Sequence, residues 1–122
     1  MIRNLENKVA WITGAGSGIG RDAAIKLSKL GMNIILSGRN KNSLQDTQER
    51  CKTYTIIKPV DVSKKSDVKD IFCEIKKEIG HVDILLNCAG INILNRDWDY
   101  INESEWDDVI QTNVNGLSLI HI

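Results

Sequence analysis

Glycines at positions 14, 16, 18 and 20 interrupt the apolar run Val9-Ala10-Trp11-Ile12 and open a helical pattern, all within Lys8 to Gly20, KVAWITGAGSGIG. The chemistry available to such a turn is anion binding. Glycine has no Cβ, so the backbone can turn sharply and bring its amides against a ligand. A helix beginning at about Ser17 or Gly18 aims its free N–H groups and the positive end of its dipole into the same space, where a pyrophosphate fits. The spacing excludes two common loops. GxGxxG fails because a count from Gly14 reaches Ile19 and a count from Gly16 reaches Arg21, and the phosphate loop of nucleoside triphosphatases fails because no Gly-Lys-Ser/Thr follows. Gly14, Gly16 and Gly18 also form GxGxG, which leaves a methyltransferase open at this point, as it does a tight strand-to-helix turn with no ligand.

What stands is Thr13-Gly14-x-x-x-Gly18-Ile19-Gly20. Three further groups follow it: Asp61-Val62, Asn87-Cys88-Ala89-Gly90, and Asn113-Val114-Asn115-Gly116. In this order they resemble the short-chain dehydrogenase/reductase family, from Lys8 to about Leu117. The resemblance implies a Rossmann sheet that binds NAD or NADP and passes hydride between the nicotinamide and an alcohol or carbonyl substrate. It implies that Gly14, Ser17, Gly18, Ile19 and Gly20 form the cofactor turn. Asp61 would reach the exocyclic amine of adenine with Val62 beside the ring, Asn87 would stabilise the central sheet, and the Ala89-Gly90 backbone would pass close to the ribose. Asn113 would help hold a water of the proton relay. A buried amide must find partners, so Asn113 is either that working residue or a satisfied structural one. The family's usual Asn-Asn-Ala-Gly carries Cys at 88 here. A small thiol is tolerated in a buried place, and no histidine partner is evident that would make it a nucleophile.

The end of the second apolar run, Asn33 to Ser37, bears on cofactor choice. In dinucleotide folds an acid there binds the ribose hydroxyls of NAD, and a basic residue accommodates the extra phosphate of NADP. This chain has Gly38 in the acid's place and Arg39 next to it. The guanidinium offers a forked donor to a phosphate and no carboxylate repels it, so NADP is expected over NAD. The missing acid also counts against a methyltransferase, whose ribose is usually held by one. An ordinary solvated arginine is the plain alternative for Arg39.

These residues need alternating strands and helices to bring them together. Val9 to Ile12 reads as a central parallel strand, apolar on both faces. Ile19, Ala23, Leu27 and Leu30 recur at helical spacing, and Gly31 stops that helix. A second strand, Asn33 to Ser37, precedes a polar helix from about Lys41 to Lys52 with Leu44 as its one strong apolar anchor. Tyr54 to Pro59 reads as a third strand. The next helix carries Val68, Ile71, Phe72, Ile75 and Ile79 on one face and closes at Gly80, with Ser63 or Ser66 placed to cap its start. Val82 to Asn87 is the fourth strand, and Ile91 to Ile101, with Trp98 and Tyr100, is an irregular loop. Asn102-x-x-Glu105 resembles a capping box before Trp106, Val109, Ile110, Asn113, Val114 and Leu117, a helical stripe. The alternation of strands and helices points to an α/β fold, and the family resemblance implies a doubly wound parallel sheet, incomplete, with strands 1 to 4 in the order 3-2-1-4.

Length and composition set the bounds. With 122 residues, one domain is expected, a Rossmann domain over 1–122. The 16 basic and 16 acidic residues give zero net charge, so neither nucleic acid nor an anionic membrane surface is an expected partner. Three cysteines without CxxC spacing read as reduced thiols in a cytoplasmic protein, and no metal site is expected. The start MIRNLENK lacks an apolar signal core, and no run approaches the roughly 20 apolar residues of a membrane span. Asn102-Glu103-Ser104 matches a glycosylation sequon by chance.

The family's remaining catalytic groups, a serine and a Tyr-x-x-x-Lys, are expected beyond Ile122. Tyr54-x-x-x-Lys58 has the spacing but lies on a predicted strand, where such a pair is roughly 13 Å apart. The chain is thus expected to be the cofactor-binding half of an oxidoreductase that acts on small alcohols or carbonyls and forms a homo-oligomer in its full-length form. The alternative is a catalytically inactive nucleotide-binding or interaction module. An exposed fourth strand and an apolar end, LSLIHI, predict poor solubility or partial melting.

Overall fold

The structure, a computed structural model, describes residues 4–91, 97 and 99–120. Trp98 and the last two residues of the LSLIHI end lie outside them. The elements are β1 (Val9–Thr13), α1 (Gly18–Lys29), β2 (Asn33–Ser37), α2 (Lys41–Arg50), β3 (Thr55–Ile57), α3 (Lys65–Glu78), β4 (Ile84–Asn87), α4 (Glu103–Ile110) and α5 (Gly116–Ile120). A π-helical turn, Gln111–Asn115, joins the last two.

The four strands are parallel in the order β3-β2-β1-β4, as expected. Side chains alternate across a strand, and here both faces are covered. Val9, Trp11 and Ile35 face the layer containing Val68, Ile71 and Ile75 of α3 and Ile120 of α5. Ala10, Ile12, Ile34 and Leu36 face the opposite layer, with Ala24 of α1 and Leu44 of α2. This two-sided burial is why the β1 and β2 sequences read as unbroken apolar runs. Trp11 carries a polar atom that must be satisfied at this depth, and its Nε1 donates to Ser37 Oγ at 2.9 Å.

Three expectations about helix faces are corrected. In α1 the residues against the sheet are Gly20, Ala24 and Ser28, while Ile19 and Leu30 are exposed. In the last helix the buried residues are Thr112, Gly116 and Ile120, while Trp106, Val114 and Leu117 are exposed. Small residues admit the close approach of a helix to a sheet, so Gly20, Ala24 and Ser28 take the packed positions of α1, with Leu27 of the expected stripe packed beside them. Phe72 of α3 is also exposed, with Val68, Ile71 and Ile75 beneath it. The capping box at Asn102 forms as expected, with Asn102 Oδ1 accepting from Glu105 N at 2.8 Å and Glu105 Oε2 from Asn102 N at 3.4 Å.

Candidate functional site

All the motif residues before Asn113 stand at or just beyond the carboxyl ends of the four strands. Because β4 follows β3 in the chain but pairs with β1, the strand order reverses between β1 and β4. A doubly wound sheet opens a ligand crevice at that reversal.

The glycine turn leaves β1 there. Gly14 has φ +64°, and a Cβ on it would lie 2.4 Å from Cys88 O, so the turn and the end of β4 pass in backbone contact. Thr13 Oγ1 holds the same junction, accepting from Ala89 N at 3.3 Å. Gly20 is equally constrained, since its Cβ would meet Gly14 O at 2.2 Å. Gly18 differs. Its φ is +54° and its Cβ would meet nothing within 4 Å, so this backbone faces open space at the start of α1. Ser17, the helix N-cap, is exposed and makes no side-chain capping bond, and Ile19 is 82 % exposed beside it. The first-turn amides have no partners within the helix, and no acidic residue stands in that turn. The donor set therefore fits a pyrophosphate.

The rest of the crevice follows the sequence. A cleft of 130 Å³ opens among Gly14, Arg39, Asp61, Val62, Gly90 and Thr112, and a second hollow of 300 Å³ adjoins it at Arg39, Asp61 and Asp67. Arg39 is exposed. Burial pushes the Asp61 carboxyl up, but two hydrogen bonds from Ser63 and the charges of Arg39 and Lys64 outweigh it and hold the group below its ordinary value. Asn87 ends β4, opposite Thr13 and exposed, on a strand that is an edge of the described sheet. Ala89 is half-buried in the crevice wall.

Asn113 lies in the π-helical turn, half-buried. Its Oδ1 accepts from Ile91 N at 2.8 Å and its Nδ2 donates to Ile91 O at 2.9 Å. The amide thus clamps the backbone just after Gly90, leaving one N–H and one lone-pair site for other partners. π-turns recur at functional sites.

Sequence reasoning missed four residues here. Arg21 reaches back under the glycine turn, donating to Gly16 O (2.6 Å), Ser43 O (3.1 Å) and Thr47 Oγ1 (2.9 Å). Thr47, fully buried, donates in turn to Ala15 O at 2.8 Å. These two bolt the turn to α2, which Leu44 alone was expected to anchor. Neither carries an apolar signal. Thr112, 8 % exposed, lines the cleft. Ser63, expected as a cap for α3, instead donates to Asp61 Oδ1 at 2.6 Å, and Lys64 takes the N-cap position without a side-chain bond. The Asp-x-Ser spacing of an Asx turn was its available signal.

Two other features stand apart. Lys58 Nζ is bound by Glu78 (2.7 Å) and Glu74 (3.1 Å) of α3, and Tyr54 is exposed, so the Tyr54-x-x-x-Lys58 spacing assembles nothing. A larger cavity, of 460 Å³, lies at the opposite end of β4 among Trp11, Phe72, His81, Leu85 and Ile120 and touches none of the motif residues. Chemistry is assigned to the smaller cleft because the polar groups converge there.

The profile of the short chain dehydrogenase family matches residues 8–121, and the chain belongs to that family, an oxidoreductase family. Among curated proteins it is 38 % identical over 112 residues to an uncharacterized oxidoreductase of Staphylococcus epidermidis, covering 92 % of this chain and 48 % of that protein. It is 39 % identical over 114 residues to one of Staphylococcus haemolyticus, covering 93 % and 49 %. Among solved structures, the 3-ketoacyl-(acyl-carrier-protein) reductase of Brucella melitensis, complexed with NADH, superposes with a TM-score of 0.89 at 33 % identity, covering 96 % of this chain and 48 % of that one. The chain spans about half the length of the curated relatives it matches. Among the described residues no helix is long and apolar enough to cross a membrane.

Proposed function

We propose that the chain is the dinucleotide-binding domain, over 1–122, of an NADP(H)-dependent oxidoreductase acting on small alcohols or carbonyls. The observation that carries this reading is the convergence of the Gly14–Gly20 turn, Arg39, Asp61 and the Ala89-Gly90 backbone on one crevice at the strand-order reversal. The α1 amides with Ser17, Gly18, Ile19 and Gly20 bind the pyrophosphate, Arg39 takes the ribose phosphate, and Asp61 and Val62 hold the adenine. Asn87 and the Ala89-Gly90 backbone flank the nicotinamide-side ribose. When bound, the nicotinamide supplies or accepts hydride.

The substrate oxygen must exchange a proton as hydride moves, and that step needs a positioned acid or base. Asn113 supports it by fixing the Ile91 backbone and offering its remaining amide sites to a relay water. The proton donor itself is assigned to a Ser and a Tyr-x-x-x-Lys outside this chain. Subunit contacts of a homo-oligomer are assigned to the exposed Trp106, Val114 and Leu117. The competing reading, a catalytically inactive binding or interaction module, is favoured by one feature, the place of β4 as an edge of the described sheet. The chain alone should bind cofactor without turning over carbonyl substrates, and turnover by a longer product of the same gene decides for the enzyme.

The test of cofactor choice is the pair of dissociation constants for NADPH and NADH. NADPH should bind more tightly, and Arg39→Ala should weaken NADPH roughly tenfold or more while leaving NADH nearly unchanged, as expected for one charge-assisted contact. Tighter binding of NADH by the unaltered chain would overturn the assignment.

A further inference from the structure

The sequence placed Ser63 or Ser66 to cap α3, but Lys64 takes the N-cap position, and both donors of Ser63 turn back to Asp61. Its N–H reaches Asp61 Oδ1 at 3.0 Å and its hydroxyl reaches the same oxygen at 2.6 Å. Among the described residues, both hydrogen bonds to this carboxylate therefore fall on one oxygen. Two donors two residues away fix the plane of the carboxylate without consuming Oδ2, which is left to the cleft that Asp61 lines beside Val62 and Thr112. A free aspartate would rotate about its side-chain torsions and present either oxygen, and a ligand would have to freeze that motion on binding.

We propose that Ser63 is a positioning residue that sets Asp61 to accept one hydrogen bond from an exocyclic amine, and so makes the cleft select adenine over a purine carrying a carbonyl oxygen at that position. This rests on the dinucleotide reading of the crevice given above. Adenine presents an N6 amine donor. Hypoxanthine presents an acceptor at the same place, which a fixed carboxylate oxygen repels.

The test compares the chain's dissociation constants for NADPH and for its hypoxanthine analogue, by fluorescence titration. The unaltered chain should prefer the adenine form by roughly tenfold, the fold-change of one hydrogen bond to a charged group. Ser63→Ala should reduce that preference to about twofold, and Ser63→Thr, which keeps the hydroxyl, should restore it. General damage to the fold would weaken both ligands together and leave the ratio unchanged. Should the alanine variant fail to fold by circular dichroism, Ser63→Cys, nearly isosteric but a weaker donor, reads the same ratio. A tenfold preference that survives loss of the hydroxyl overturns the role of Ser63 and leaves the dinucleotide reading standing. No preference in the unaltered chain overturns both the Ser63 role and the placement of adenine at Asp61.

Discussion

A Cβ added to Gly20 would lie 2.2 Å from the Gly14 carbonyl oxygen, whereas one added to Gly18 would meet nothing within 4 Å. Gly20→Ala must therefore push α1 off the turn, with a cost on the order of 1–3 kcal/mol or more for overpacking. Gly18→Ala carries only the strain of a left-handed residue at φ +54°, about 1–2 kcal/mol. The urea midpoint should fall further for Gly20→Ala, and the reverse order would show that α1 is not seated as described. Charge acts at the same scale. The Val9 N–H donates to Asp83 Oδ2 at 2.8 Å and, with the charges of His81 and Lys8, holds that carboxyl below its ordinary value. Since folding lowers this pKa, the unfolded chain takes up the proton first. The contribution of Asp83 is complete above the unfolded value, near pH 4, and is lost as pH falls through the lower folded value. Urea titrations at about pH 6 and pH 3 should show a larger loss of stability for the unaltered chain than for Asp83→Asn.

Among the elements, α1 and α2 depend on Arg21 more than on apolar area. Arg21→Ala removes three hydrogen bonds from Gly16, Ser43 and Thr47, at a cost of about 1–3 kcal/mol. It should also weaken dinucleotide binding through the loosened glycine turn, and thermal denaturation with and without NADPH measures both effects. If stability falls while affinity holds, the turn does not depend on this tether. In the last helix, Gly116→Ala would set a Cβ 2.7 Å from Val62 Cγ2, so a substitution remote from the glycine turn should shift Val62 and lower affinity.

The same elements explain what the sequence could reveal. The glycine turn and the buried strands were legible because glycine positions and two-faced apolar runs follow directly from backbone sterics and burial, whereas the strand order and the places of Asp61-Val62 and Ala89-Gly90 came from the family resemblance. The packed faces of α1 and of the last helix were not. Apolar periodicity finds a stripe such as Trp106, Val114 and Leu117, whereas the buried positions are Thr112 and Gly116, the latter packed on Val62, where a small residue is what fits. Arg21, Thr47 and Ser63 were missed because polar tethers between distant segments leave no period. Asn113 was legible as a polar residue on an apolar face, half-buried in the structure, but its partner, the backbone of Ile91, was not, since a loop backbone has no sequence signature.

For the whole molecule, the described sheet presents β4 as an edge, with Ile84, Leu85 and Leu86 half-buried. Unpaired strand edges template association, and the exposed Trp106, Val114 and Leu117 add apolar surface. The purified chain should bind a hydrophobic dye such as ANS and self-associate with rising concentration. A clean monomer with a sharp cooperative melt and no dye binding would refute this. The seam between β1 and β4 has one more consequence, for the order in which the chain matures. Its bonds span 74 residues at Val9–Asp83 and 76 at Thr13–Ala89, and contacts so distant form late because loop closure must precede them. During synthesis β1, β2 and β3 emerge and can pair while β4 is still inside the ribosome. The crevice then lacks the Cys88–Gly90 wall, so a nascent chain acquires its ligand-holding geometry last, after most of the sheet that supports it.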